Sequence, residues 1–182
     1  MDTLMTFDPV LVHAAAGTMA CIFLLGAMAK LWDIPLFMAL MENYGLLPRW
    51  LLKPVAWLLP LCEATAGVLL LPVGTRFAGA CLALVLLAIV SGAVAINLVR
   101  GQRRIDCGCG GDSLELSEGL LARNAALAVL LIVAMQSPAA RQTVWLDMVS
   151  TLMATVFLLG LIKAVNLWLG HQSRLHELRN TP

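Results

Sequence analysis

The sequence predicts an all-α, polytopic membrane bundle of about five transmembrane helices, with four as the lower count. Composition is the first reason: of 182 residues, 60% are hydrophobic and 13% charged, with a mean hydropathy of +0.88. The second is the arrangement of that apolarity in long stretches punctuated by Pro, Gly and short polar segments. The third is length. A span needs roughly 20 apolar residues, so the chain holds four or five and reads as one integral-membrane domain over residues 1–182. The net charge of +1 is uninformative, and no basic run with interleaved aromatics is present. Nucleic acid is therefore set aside, and the lipid bilayer is the expected surroundings.

The first eight residues carry two aspartates and neither Lys nor Arg. A cleavable signal peptide calls for a positive n-region, so the first apolar stretch, residues 10–31, is expected to be a retained helix. Pro35 marks its end, because the residue before proline resists helical geometry. Residues 35–43 then suit a short interfacial helix, and Tyr44-Gly45-Leu46-Leu47-Pro48 a turn. The second span covers residues 51–71, with Pro54 near its first turn, where proline is tolerated. Pro60 in the interior removes a backbone donor and predicts a kink. Residues 77–99 contain no charge and form the clearest span. A polar segment over residues 100–117 follows. Ser117 or Glu118 opens the fourth span, residues 118–135, which stops before Pro138. The fifth covers residues 144–169, and a charged, exposed tail covers residues 170–182.

Orientation follows from Lys and Arg near the span ends. Five crossings collect Lys30, Arg49, Lys53, Arg100, Arg103, Arg104, Arg123, Arg174 and Arg179 on one side, against Arg76 and Arg141 on the other. The expected arrangement is multi-pass in a bacterial inner membrane, N-terminus outside, with the tail and the 100–117 loop in the cytoplasm.

That loop carries the clearest chemistry, the pair Cys107-Gly108-Cys109. Cα atoms two residues apart lie about 5.5–7 Å from each other, which overlaps the disulfide range. Gly108, with Gly110 and Gly111, permits the backbone angles that so small a ring requires. A strained, exposed disulfide reduces easily and suits exchange better than stapling. Arg103, Arg104 and Arg123 favour the thiolate, while Asp106 opposes it. The plain alternative is a pair of surface cysteines in a glycine-rich loop. Metal binding is the weaker one, since two thiols and Asp106 fall short of four zinc ligands. No flavin or quinone motif is legible, and no cofactor is expected.

Cys21, Cys62 and Cys81 lie within spans. Cys21 and Cys62 are expected at similar depth, which invites a relay pair, although a buried Cys is ordinarily inert packing. Charged groups in spans are functional candidates because of their desolvation cost. Glu63 is the deepest, either protonated or paired with a cation such as Lys30. It suits proton handling and structural pairing about equally. Asn97 and Arg100 share a face at i,i+3 spacing, as do Lys163 and Asn166. Arg123 and Asn124 interrupt an apolar run and are placed to brace the loop from beneath. Lys30 and Lys163 can equally snorkel to head groups.

Several of these segments resemble the MauE family of methylamine-utilisation membrane proteins, within a broader MauE/DoxX-like redox-associated group. They are Ala29-Lys30-Leu31, Tyr44-Gly45-Leu46-Leu47-Pro48, and Pro60-Leu61-Cys62-Glu63 with Gly67. Most specific are Asn97-Leu98-Val99-Arg100-Gly101, Asp106-Cys107-Gly108-Cys109-Gly110-Gly111 and Arg123-Asn124. The resemblance runs from about Phe23 to Leu169; Gly110 departs from it, standing where a bulky residue, often Phe, is expected. The resemblance implies a part in processing, transport or maturation of the small (beta) subunit of methylamine dehydrogenase. That periplasmic quinoprotein is rich in disulfides and carries a tryptophan tryptophylquinone. The resemblance also implies the thioredoxin-like protein MauD as partner.

Three functions are then open: a thiol–disulfide oxidoreductase acting through Cys107 and Cys109, a non-enzymatic scaffold or export aid for the same assembly, and a small transporter using Glu63 as proton carrier. Charge counting sets the thiols inside while the implied substrate folds outside. Either reducing equivalents cross the membrane or the helix count is off by one.

Overall fold

The computed structural model describes residues 7–101, 117–139 and 144–180, with side chains as far as His171. Among these residues there are six α-helices and no strand: α1 Pro9–Trp32, α2 Ile34–Tyr44, α3 Arg49–Leu70, α4 Arg76–Val99, α5 Glu118–Ala134 and α6 Trp145–Asn180.

Local chemistry sets the helix boundaries. The Asp8 carboxylate accepts the Val10 amide at 2.9 Å, and Pro9 opens α1 where its missing N–H costs nothing. Asp33 rather than Pro35 makes the break between α1 and α2. It caps α2 by accepting the Leu36 amide at 2.9 Å, which leaves Pro35 in the first turn, where proline is at home. Gly45, at φ 60°, ends α2 in the left-handed conformation that only glycine adopts cheaply. Pro48 caps α3, so this helix starts two residues earlier than residues 51–71 predict. Pro54 therefore sits past the first turn, and α3 is continuous through it and Pro60. The helix α6 does not stop at residue 169. Nothing from Gly170 to Asn180 breaks a helix, and the expected tail continues it to Asn180.

Glycines mark where helices approach closest. A Cβ on Gly67 would meet the Leu24 side chain at 2.8 Å and the Ala20 carbonyl at 3.2 Å, setting α3 antiparallel on α1. A Cβ on Gly79 would lie 2.8 Å from the backbone of Leu69 and Leu70, fixing the α3–α4 hairpin. The main core joins Met19, Ala20, Ala66, Leu70, Ala80, Ala83 and Leu131. Leu, Val, Trp and Phe side chains cover the outer surface, as lipid contact requires. The helix α6 leans on α1 and turns Met148, Leu152, Phe157 and Trp168 outward.

Four helices, α1, α3, α4 and residues Trp145–His171 of α6, are long and apolar enough to cross a membrane. The 17-residue α5 rises about 25 Å at 1.5 Å per residue, less than a hydrocarbon core of roughly 30 Å. Its packing nonetheless extends from one end of the bundle to the other. Leu120 clusters with Val94 and Leu169 at one end. At the other, Ala134 packs on Ala15 and Ala16, and the Ala139 amide donates to the Phe7 carbonyl at 3.0 Å. The start of α1, the end of α5 and the start of α6 thus share one end. Lys30, Arg49, Lys53, Arg100, Gly101 and Ser117 lie toward the opposite end.

Gly79→Val is expected to cost about 1–3 kcal/mol by overpacking a backbone contact, whereas Gly74→Ala, in open space, should be neutral. Unfolding midpoints of the purified variants in detergent check this. Equal midpoints for both would contradict the hairpin packing.

Candidate functional site

A charged Glu63 in α3 is tolerable only if its charge is compensated. Helix geometry supplies the partner. Side chains lean toward the N-terminus of their own helix, so Lys30, in the last turn of α1, leans back into the bundle. Glu63, on the antiparallel α3, leans the opposite way, and the two converge. Lys30 Nζ donates to Glu63 Oε1 at 2.5 Å and Oε2 at 2.6 Å. Their side chains are 11% and 8% exposed, so this is a buried pair. Gly26, one turn before Lys30, faces the pair: a Cβ there would sit 3.9 Å from both Glu63 Oε2 and Lys30 Nζ, an ordinary contact. The ammonium also lies 5.7 Å from the centre of the Phe37 ring on α2.

Arg123 and Asn124 reach the same place from α5. With Lys30, Glu63, Ile22, Phe23 and Leu127 they line a small cavity of about 70 Å³. Asn124 is buried and donates from Nδ2 to Ser91 Oγ on α4 at 3.0 Å. Arg123 Nε is buried and meets no hydrogen-bond acceptor among the described residues. The cluster therefore carries two cations against one carboxylate, drawn from α1, α3 and α5. It lies inside the basic end of the bundle.

The other candidates separate. Asn97 is fully buried and donates to its own helix at the Ala93 carbonyl, 3.1 Å away, with Oδ1 unpartnered. Arg100, three residues on, is exposed at the end of α4, so the expected shared face divides into an inside and an outside position. On α6, Lys163 is exposed and Asn166 half-buried. Cys21, Cys62 and Cys81 are free, half-buried thiols. Because Gly26 faces Glu63 and Ala20 faces Gly67, Cys21 and Cys62 are offset by roughly four to six residues along the bundle, about 6–9 Å at 1.5 Å per residue. They do not share the depth that a relay pair was expected to have. Asp106, Cys107, Gly108 and Cys109 lie outside the described residues. The described residues nearest them in the chain, Gly101 and Ser117, lie at the basic end.

Ser91 and Gly26 were not marked by the sequence reading. A small residue four before Lys30 was the available signal for Gly26, whereas Ser91 becomes legible only once α5 is docked. The buried Arg76 has a structural role: Nε donates to the Leu70 carbonyl at 3.3 Å and Nη2 to the Leu71 carbonyl at 3.5 Å, closing the C-terminus of α3. A second cavity, of about 400 Å³, opens between α2, α3 and α4. Its walls are apolar, and Lys30 lies at its inner end.

Breaking the buried pair from one side leaves an uncompensated charge. Lys30→Met and Glu63→Gln are each expected to lower stability by about 3–5 kcal/mol, and the double variant to recover part of that loss. Unfolding of the four proteins of the cycle in detergent measures the coupling; additive losses would contradict the pairing.

Residues 8–137 match the family model described as methylamine utilisation protein MauE. Among curated relatives, the methylamine utilization protein MauE of Methylophilus methylotrophus is 32% identical over 178 residues, covering 96% of this chain and 94% of its own length. Those of Paracoccus denitrificans and Paracoccus versutus are 34% and 35% identical, covering 73% and 81% of this chain and the same shares of their own. No solved structure matches. A family match over most of the chain, with one relative aligned nearly end to end, makes this multi-pass helical protein a member of the MauE family of methylamine utilisation proteins.

Proposed function

We propose that this chain is an inner-membrane factor for maturation of the methylamine dehydrogenase beta subunit, working by thiol–disulfide exchange at Cys107 and Cys109 with thioredoxin-like MauD acting alongside. The observation that carries this reading is the Cys107-Gly108-Cys109 pair in the sequence, between Gly101 and Ser117, two residues that lie at the basic end of the bundle. Membership in a methylamine utilisation family supplies the pathway.

The chemistry is conserved in atoms and electrons. A thiolate of the partner attacks the Cys107–Cys109 disulfide and forms a mixed disulfide. The partner's second thiol then attacks its own first sulfur, releasing the partner as a disulfide and Cys107/Cys109 as the dithiol. Arg103 and Arg104 favour the thiolate that leaves, Asp106 restrains it, and Gly108 permits the small ring of the oxidised pair. The cluster of Lys30, Glu63, Arg123 and Asn124 supports this role by tying α1, α3 and α5 together toward the basic end. Positive charge at that end favours the cytoplasmic side for the thiols. On this reading the exchange takes place across the bilayer from the maturing subunit, and the protein's part is to move reducing equivalents between the two faces.

Cys107→Ser and Cys109→Ser should each abolish assembly of active dehydrogenase in cells while the protein inserts at normal levels. Normal assembly in both single variants would end the redox reading and leave the scaffold.

A further inference from the structure

The cavity of about 400 Å³ between α2, α3 and α4 is within the size of small-molecule sites. Phe37, Leu40 and Tyr44 of α2 roof it, Val55 and Leu59 of α3 form one wall, and α4 forms the other around Gly92. Gly92 is open there: a Cβ would meet nothing within 4 Å. The charged residue in its lining is Lys30. An ammonium has three N–H donors. Two are spent on the Glu63 oxygens, and the third meets no acceptor among the described residues.

A hydrocarbon chain pressed against this end would leave that donor unsatisfied and the ion pair facing methylenes. A molecule with a carbonyl at its buried end, a flat ring beside Phe37 and a long apolar tail satisfies all three features. We propose that the cavity binds a membrane quinone, with Lys30 donating to one ring carbonyl and the isoprenoid tail leaving toward the lipid beneath α2.

This rests on the thiol-exchange reading and gives it an electron carrier. The Cys107/Cys109 dithiol loses two electrons and two protons, two S–H bonds giving way to one S–S bond. The quinone gains both, forming two O–H bonds and leaving as quinol. Quinol is mobile in the bilayer, so the reducing equivalents can reach the opposite face. Lys30 lines both this cavity and the small one that Glu63, Arg123 and Asn124 line, and so offers protons a polar approach to the ring.

The test is titration of the purified full-length protein with decylubiquinone, read as the unfolding midpoint. The wild type should show a saturable rise. Gly92→Leu, which fills the cavity and keeps the ion pair, should weaken binding at least tenfold, and so should Lys30→Met/Glu63→Gln. No saturable rise in the wild type, or equal binding by Gly92→Leu, would overturn the site. So would native mass spectrometry finding a phospholipid in the cavity that decylubiquinone fails to displace. Pre-reduced wild-type protein should also convert the quinone to quinol. Saturable binding without that conversion supports the site and counts against the thiol reading instead.

Discussion

The bundle depends on the ion pair between Lys30 and Glu63. A carboxylate halfway along an apolar helix is a charge the membrane excludes unless it is matched. The match must come from a neighbouring helix at the right height. Meeting it fixes α1 against α3, and the Gly67 contact with Ala20 and Leu24 holds the same register one turn further on. The paired hairpin α3–α4 then follows through Gly79. The helix α5 docks on α1 and α4, bringing Arg123 to the small cavity that the ion pair lines and Asn124 to Ser91. Each helix that builds the core therefore reads its height from a polar or glycine contact, while the leucines fill the volume between.

Much of this was legible in the sequence because the bilayer imposes a simple rule: uninterrupted apolarity of a given length. The third span, residues 77–99, differs from α4 by one residue. The first span, residues 10–31, ends one residue short of α1, but the break falls at Asp33, which caps α2, and not at Pro35, which proline's role as a terminator suggests. The tail looks separate in sequence because charge marks the edge of a membrane, not the end of a helix. Membrane depth was the harder quantity. Cys21 and Cys62 look level when each is counted from its own helix end, but α3 is displaced along α1, and only the packing register reveals that. Ser91 is silent in sequence for the same reason: its meaning comes from what stands opposite it.

The arrangement of polar groups bears on the proposed function. They gather toward the basic end, where the end of α4 and the start of α5 come together. An exchanging thiol pair on the chain between those two helix ends would need rigid anchors if its ring is to close and open without moving the bundle. Asn97 and Asn124, both buried, and the Lys30–Glu63 pair supply fixed contacts on that side of the bundle. The apolar cavity beneath α2 shares Lys30 with this cluster, so one residue serves both the packing and the proposed route for electrons into the lipid.

The side of the membrane that the thiols face decides whether reducing equivalents cross it. Cys107 and Cys109 can be labelled with a membrane-impermeant maleimide in intact cells with a permeabilised outer membrane, and in inverted inner-membrane vesicles, using a variant that lacks the three cysteines within the helices. The basic end of the bundle predicts labelling in the inverted vesicles and none in the cells. Labelling in the cells would contradict the assignment of that end to the cytoplasm, and with it the transfer of reducing equivalents across the membrane.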